Sequence, residues 1–126
     1  MSITVNLKNF RDVTYNVYIC LTYIFAYGIF KPMIKSFNDQ ETEKIYKQQK
    51  SRKLPVQIQE RALKKLIILD NAVTENDLRI PPSNHLEYLK GNRKGECSIR
   101  INDQWRLCFR FSEGNAHDVM IEDYHK

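Results

Sequence analysis

The spacing of apolar positions takes three forms along the chain. Residues 13–30, VTYNVYICLTYIFAYGIF, are apolar with little period, and Lys8 and Arg11 precede them. Across 55–73 the apolar residues Ala62, Leu63, Leu66, Ile67, Leu69 and Val73 recur at steps of three and four. That spacing predicts an amphipathic helix with Pro55 in its first turn. Over 97–101 and 105–111 apolar and polar residues alternate, the period of strands, and HDVMIEDYH over 117–125 predicts a third strand. The short apolar run 33–37 predicts a first strand. Asn38 and Glu41 have capping-box spacing ahead of a short helix in ETEKIYKQ, and Thr74 and Asp77 repeat that spacing before one more turn. Residues 79–96, RIPPSNHLEYLKGNRKGE, read as loop: Pro81 and Pro82 break any helix, and Gly91 and Gly95 mark turns. The order strand, helix, helix, strand, strand, strand predicts an α+β domain, an antiparallel sheet with helices on one face.

The alternation also fixes a register. Cys97, Ile99 and Ile101 point one way, Ser98 and Arg100 the other. On the next strand Trp105, Leu107, Phe109 and Phe111 share a face, and Arg106, Cys108 and Arg110 share the opposite one. A two-residue loop would pair Arg100 with Trp105 and mix the two patterns. A three-residue loop, Asn102-Asp103-Gln104, pairs Ile101 with Trp105, Arg100 with Arg106 and Ile99 with Leu107, so every apolar residue faces the core. Its cost is Arg100 directly opposite Arg106, a repulsive pair. Two explanations stand: both side chains splay into water, or the pair forms a phosphate site, since guanidinium presents a planar fork to phosphate oxygens.

Composition narrows the function classes. The chain has 126 residues, enough for one domain, with 42% hydrophobic and 28% charged residues. The net charge of +5 is a mild pointer to an anionic partner. Between Arg79 and Arg110 seven basic residues face three acidic ones, so the positive charge concentrates in the loop and hairpin. Three cysteines (Cys20, Cys97, Cys108) without a C-x-x-C pair argue against a disulfide framework or metal site and for a reduced, cytoplasmic chain. His85, His117 and His125 lack metal-ligand spacing, and there is no phosphate loop or H-E-x-x-H. No cofactor is expected.

Residues 1–32 differ in composition from the rest, and three readings of them stay open. They are a weak membrane anchor or signal, an extra element packed on the domain, or an upstream extension with the functional start at Met33. The third is favoured because MIKSF opens a self-contained pattern.

LKGNRKGECSIRINDQWRLCFRF, followed by a terminal IEDYHK, resembles the HigB branch of the RelE-like bacterial toxins. The resemblance covers residues 33–126, the expected toxin domain, and leaves 1–32 unmatched. It implies the RelE-like microbial ribonuclease fold, a small antiparallel-rich sheet with N-terminal helices on one face. It also implies a ribosome-dependent mRNA endonuclease, needing no metal, that cuts message in the decoding site. Its implied partners are the ribosome with its mRNA and a cognate helix-turn-helix antitoxin of HigA type. Operator DNA is reached only through that antitoxin, and no membrane is expected. By position, Lys90 matches the family's loop lysine, Arg100 and Arg106 its hairpin arginines, and Asp123, Tyr124 and His125 its D-Y-H ending. Where some relatives carry a histidine shortly before the loop lysine, this chain has Glu87.

Cleavage of this type uses the RNA 2′-hydroxyl as nucleophile and needs a base, an acid and cationic donors for the phosphate. His125 suits proton transfer, since imidazole titrates near neutrality. Tyr124 is a candidate to stack on or orient a base, or to transfer a proton, and Asp123 to orient His125. Arg100, Arg106 and Lys90 are expected to hold the phosphate; Arg93, Lys94 and Arg110 are expected to contact RNA, or are simply solvated. Which residue acts as base and which as acid stays open. Read without the resemblance, His125 is a frayed terminal residue, Trp105 a core residue, His85 and His117 surface residues, and Cys108 a small buried filler. Two further functions remain: a non-catalytic basic module binding RNA or an acidic partner, and a membrane-tethered protein using residues 13–30.

Overall fold

The structure is a computed structural model and describes residues 32–124. Residues 1–31, with the apolar run 13–30, and His125 lie outside the described residues. The chain from Met33 onward clusters as one compact unit.

The first helix, α1, spans Gln40–Tyr46. Asp39 caps it, not Asn38: its Oδ1 accepts from the Thr42 backbone N–H at 2.6 Å and its Oδ2 from the Thr42 hydroxyl at 3.1 Å. Either residue type can cap, but only Asp39 sits three residues before a buried threonine whose hydroxyl in turn donates its register to the sheet, by accepting from the Ile121 N–H at 2.9 Å. The long helix α2 spans Val56–Asp70, with Pro55 as its N-cap residue, one position earlier than the sequence pattern places it. It stops three residues short of Val73, which is exposed. Asp70 is the reason: its carboxylate is buried and accepts from the Ile34 N–H at 3.0 Å and the Tyr46 hydroxyl at 2.5 Å, fastening the helix end to the N-terminal segment. The turn expected at Thr74 is present. Thr74 and Asp77 form a reciprocal capping box on the 3-10 turn Glu75–Arg79.

Four antiparallel strands form one sheet in the order β1-β2-β3-β4: β1 Glu87–Tyr88, β2 Glu96–Arg100, β3 Trp105–Ser112 and β4 Asn115–Asp123. The hairpin register is the one read from the sequence, with Ile99 opposite Leu107 and Arg100 opposite Arg106. The Ile101 N–H donates to the Trp105 carbonyl at 2.9 Å and closes the three-residue loop. Residues 79–96 hold more structure than their composition announces: two 3-10 turns, Pro82–Asn84 and Gly91–Arg93, and strand β1. The expected first strand is reduced to two isolated parallel bridges onto β4, Ile34 to Ala116 and Phe37 to Val119. Its ladder is interrupted where Asp118 adopts a left-handed backbone (φ 54) and its N–H turns to the Ser36 hydroxyl at 2.9 Å. That residue makes the bulge between β3 and β4. The extra residue lets Ala116 and Val119, three apart, both face inward.

One core cluster joins Ile45 of α1 and Ile58, Ala62, Leu66 and Leu69 of α2 to Ile99, Leu107, Phe109, Val119 and Ile121 of the sheet. Trp105 packs against its edge. The helices therefore cover one face of an antiparallel sheet, the expected α+β arrangement. The other face carries the arginines.

Candidate active site on the arginine face

Register and alternation place Glu87 of β1, Ser98 and Arg100 of β2, Arg106, Cys108 and Arg110 of β3, and Met120 and Glu122 of β4 on the face away from the helices. Tyr124 follows from β4 on the same side, with its ring centroid 5.6 Å from the Arg106 guanidinium carbon.

Arg106 is the centre of this face and is buried, at 8% exposure. Its Nε donates to the Ser98 hydroxyl at 2.7 Å, and its Nη2 donates to the Ser98 carbonyl at 3.2 Å and to the His85 carbonyl. His85 presents that carbonyl because it caps a 3-10 turn in the left-handed region (φ 44). The turn is pinned from below by buried Asn84, whose Nδ2 donates to the carbonyls of Leu78 (3.0 Å) and Ile80 (3.2 Å). The third nitrogen of Arg106, Nη1, lies 3.8 Å from the Glu87 carboxylate. Arg100 takes a different direction from the same register position and pairs with Asp103 in the hairpin loop. The like-charge cost expected from the register is thus avoided by separate acceptors rather than by two side chains loose in water.

Arg93 is held by two carboxylates. Its Nε and Nη2 meet Glu96 at 3.2 and 2.9 Å, and its Nη1 meets both oxygens of Glu122 at 2.9 Å. Glu122 also accepts from the Cys108 thiol at 3.0 Å. Burial, and then this neighbouring carboxylate, push the Cys108 thiol up to about 12, so it stays protonated and is a filler of the face. The Tyr124 phenol is raised from its ordinary value, first by burial, which keeps it a neutral donor near neutral pH.

The remaining candidates are placed as follows. Lys90 begins the 3-10 turn Gly91–Arg93, is exposed and has no ion pair among the described residues; Lys94 is likewise exposed after that turn. Arg110 pairs with Asp118 at 3.0 Å, both exposed. Asp123 stands opposite Trp105, the alternate parity from Tyr124, and accepts from Gln104 Nε2 at 3.0 Å. The structure thus gathers Arg106, Tyr124 and Glu87, and sets Arg100 at the hairpin end. Ser98, Glu122 and the His85 carbonyl are parts of the site that sequence reading did not name. The strand period does put Ser98 on Arg100's face and Glu122 on Tyr124's, but it does not set the pairing of Glu122 with Arg106. The His85 carbonyl has no sequence signal, because a main-chain contact made by a turn leaves no mark in the residue pattern.

Chemically, this is a guanidinium with two of its three nitrogens fixed by the protein and the third facing the exposed Glu87 carboxylate, beside a phenol. It is oriented before any anion arrives, the condition under which a donor stabilises developing negative charge best.

The chain is similar to known proteins over most of its length. Residues 35–125 match the family described as the RelE-like toxin of type II toxin-antitoxin system HigB. The chain is 45% identical over 93 residues to "Toxin HigB-1" of Vibrio cholerae serotype O1, covering 73% of this chain and 98% of that protein. It is 32% identical over 93 residues to "Endoribonuclease HigB" of Proteus vulgaris, covering 74% of this chain and all 100% of that one. A crystal structure of a mutant YafQ from E. coli superposes with a TM-score of 0.47 at 18% identity, over 75% of this chain and 96% of that chain.

The molecule is a RelE-like toxin of the type II toxin–antitoxin class. Within that class the chain belongs to the HigB family, whose members are paired with a cognate antitoxin.

Proposed function

We propose that this toxin is an endoribonuclease that cuts mRNA in the decoding site of translating ribosomes, with no metal in the reaction. The observation that carries the proposal is the Arg106 guanidinium, held by Ser98 and the His85 carbonyl with Tyr124 on its flank. The name of the Proteus vulgaris relative supports the reaction class. In this reading residues 33–126 are the toxin domain. Arg106 and Arg100 bind the scissile phosphate from two sides and Lys90 contacts it from the loop. Tyr124 orients a base or passes a proton. His125, which follows Tyr124 directly, supplies acid–base chemistry, with Asp123 beside it in sequence. Lys94 and Arg110 contact RNA further out. The partners are the ribosome with its message and a helix-turn-helix antitoxin of HigA type, which alone reaches operator DNA; the site of action is the cytoplasm.

The test is purified full-length protein added to ribosomes translating a defined message, with cut sites mapped by primer extension. Cleavage that needs translation, and that Arg106→Ala combined with His125→Gln abolishes, is the expected result. Intact message refutes the proposal. One observation favours a second reading, a non-catalytic RNA-binding module: Glu87 lies beside Nη1 of Arg106, where a carboxylate competes with phosphate. That reading predicts salt-sensitive RNA binding with no cut.

A further inference from the structure

Arg93 looks from sequence like an RNA contact, yet all its hydrogen-bonding nitrogens are taken by Glu96 and Glu122. Glu122 is the cross-strand partner of Arg106. Neighbours in such a pair have Cβ atoms about 5 Å apart, within reach of each other's charged ends. Both Glu122 oxygens nevertheless accept from one nitrogen, Nη1, of Arg93 at 2.9 Å. Arg93 stands three residues after Lys90, at the end of the turn that Lys90 opens.

We propose that Arg93 is a positioning residue that keeps the Glu122 carboxylate off Arg106, so that RNA approaching the Arg106 guanidinium meets no second carboxylate beside Glu87. Remove Arg93 and Glu122 loses its cationic partner, keeping only the weak Cys108 thiol donor at 3.0 Å, while Arg106 stays one strand away. The carboxylate then swings to the guanidinium and competes with phosphate there. Glu96 is a poorer threat, because it lies opposite Arg110 at the other end of the strand. The inference rests on the proposed RNA site, but a binding measurement tests it whether or not the protein cuts.

The experiment uses the full chain and a fluorescein-labelled 12-nucleotide single-stranded RNA, with affinity read by anisotropy at fixed salt and folding checked by thermal melt. Arg93→Gln is expected to weaken binding about tenfold, the effect of one carboxylate moved onto a binding cation at a protein surface. The double variant Arg93→Gln with Glu122→Gln is expected to recover most of that loss, because the freed charge is gone. If Arg93 touches RNA, or only braces the loop, the double variant binds as weakly as the single, and the inference is wrong. Should Arg93→Gln fail to fold, Glu122→Gln alone decides. The proposal expects affinity within about twofold of wild type, since the carboxylate is already neutralised. Binding several times tighter means that Arg93, once released, contacts RNA itself, and overturns the proposal. Cleavage on translating ribosomes is measured in parallel. Wild-type protein that binds but never cuts sinks the nuclease reading and leaves the binding series to judge Arg93; wild-type cleavage without rescue sinks the Arg93 proposal alone.

Discussion

Arg106 and Arg100 face each other across two strands, yet replacing them has different consequences. Arg106 serves three acceptors, the hydroxyl and carbonyl of buried Ser98 and the part-buried carbonyl of His85. Arg106→Ala strands them, so it is expected to lower unfolding free energy by about 2–3 kcal/mol as well as abolish cleavage. Arg100 holds one exposed loop carboxylate, and Arg100→Ala is expected to stay within about 0.5 kcal/mol of wild type while losing activity. Urea titrations of the two variants check this; equal losses of stability mean that the bonds around Arg106 are worth little. Cys108 gives a pH prediction of its own. Its thiol is pushed from 9.0 up to about 12 in the folded chain. The folded state therefore holds a proton that the unfolded chain releases above its ordinary value. The thiol's contribution is whole below pH 9 and is lost as pH climbs toward 12. Between pH 8 and pH 10 the stability gap between wild type and Cys108→Ala is expected to narrow by about 1 kcal/mol. A gap independent of pH means the thiol is not buried as described.

At the scale of elements, the parts that were legible are those whose own residues repeat. The β2–β3 hairpin followed from alternation alone, because one loop length alone puts Ile99, Ile101, Leu107 and Phe109 on the core side. The capping box at Thr74 followed from spacing. Residues 79–96 were opaque for a physical reason. The two-residue strand β1 exists only through its pairing with Ser98 and Cys97, and the turn before it is held by the Asn84 side chain, not by any local period. The end of α2 was missed likewise, since apolar Val73 continues the stripe while buried Asp70 ends the helix through a partner 36 residues earlier. This makes Asn84 a sharp test. It is fully buried, its amide donates to two carbonyls and its Oδ1 accepts from Lys65 Nζ at 2.6 Å. Asn84→Ala is expected to cost about 2 kcal/mol and, by loosening the turn that aims the His85 carbonyl, to lower RNA affinity although Asn84 touches no RNA. Denaturation and anisotropy on the same variant check both effects. A stable variant with wild-type affinity removes Asn84 from the support of the site.

On the scale of the whole molecule, sequence placed the positive charge on one face but not its state. Residues 33–126 carry 17 basic and 14 acidic residues. Made alone, they are expected to fold and melt in a single transition, because the core cluster draws on elements from Met33 to Ile121; a fragment that stays unfolded assigns residues 1–32 a structural role. Much of the arginine charge is engaged within the protein: Arg93 by two glutamates, Arg100 by Asp103, Arg110 by Asp118. In the proposed reading RNA meets few unengaged cations among the described residues, Lys90 and Lys94 among them, and takes the exposed arginines from their carboxylates. Each phosphate contact on a single strand lowers the slope of log affinity against log salt by about 0.7. Lys90→Ala is expected to make that slope shallower by this amount. Asp118→Asn should do the reverse of harm. It frees Arg110 from its ion pair, and asparagine tolerates the left-handed backbone that this position requires (φ 54). Breaking a pair that is exposed on both sides costs at most about 1 kcal/mol, so the gain in RNA affinity is expected to be about twofold to fivefold. In the proposed site Arg110 contacts the same phosphate in both proteins, so the salt slope is expected to stay the same. A steeper slope in Asp118→Asn shows that Arg110 does not reach RNA in the wild type, and that the outer edge of the site ends at Arg100.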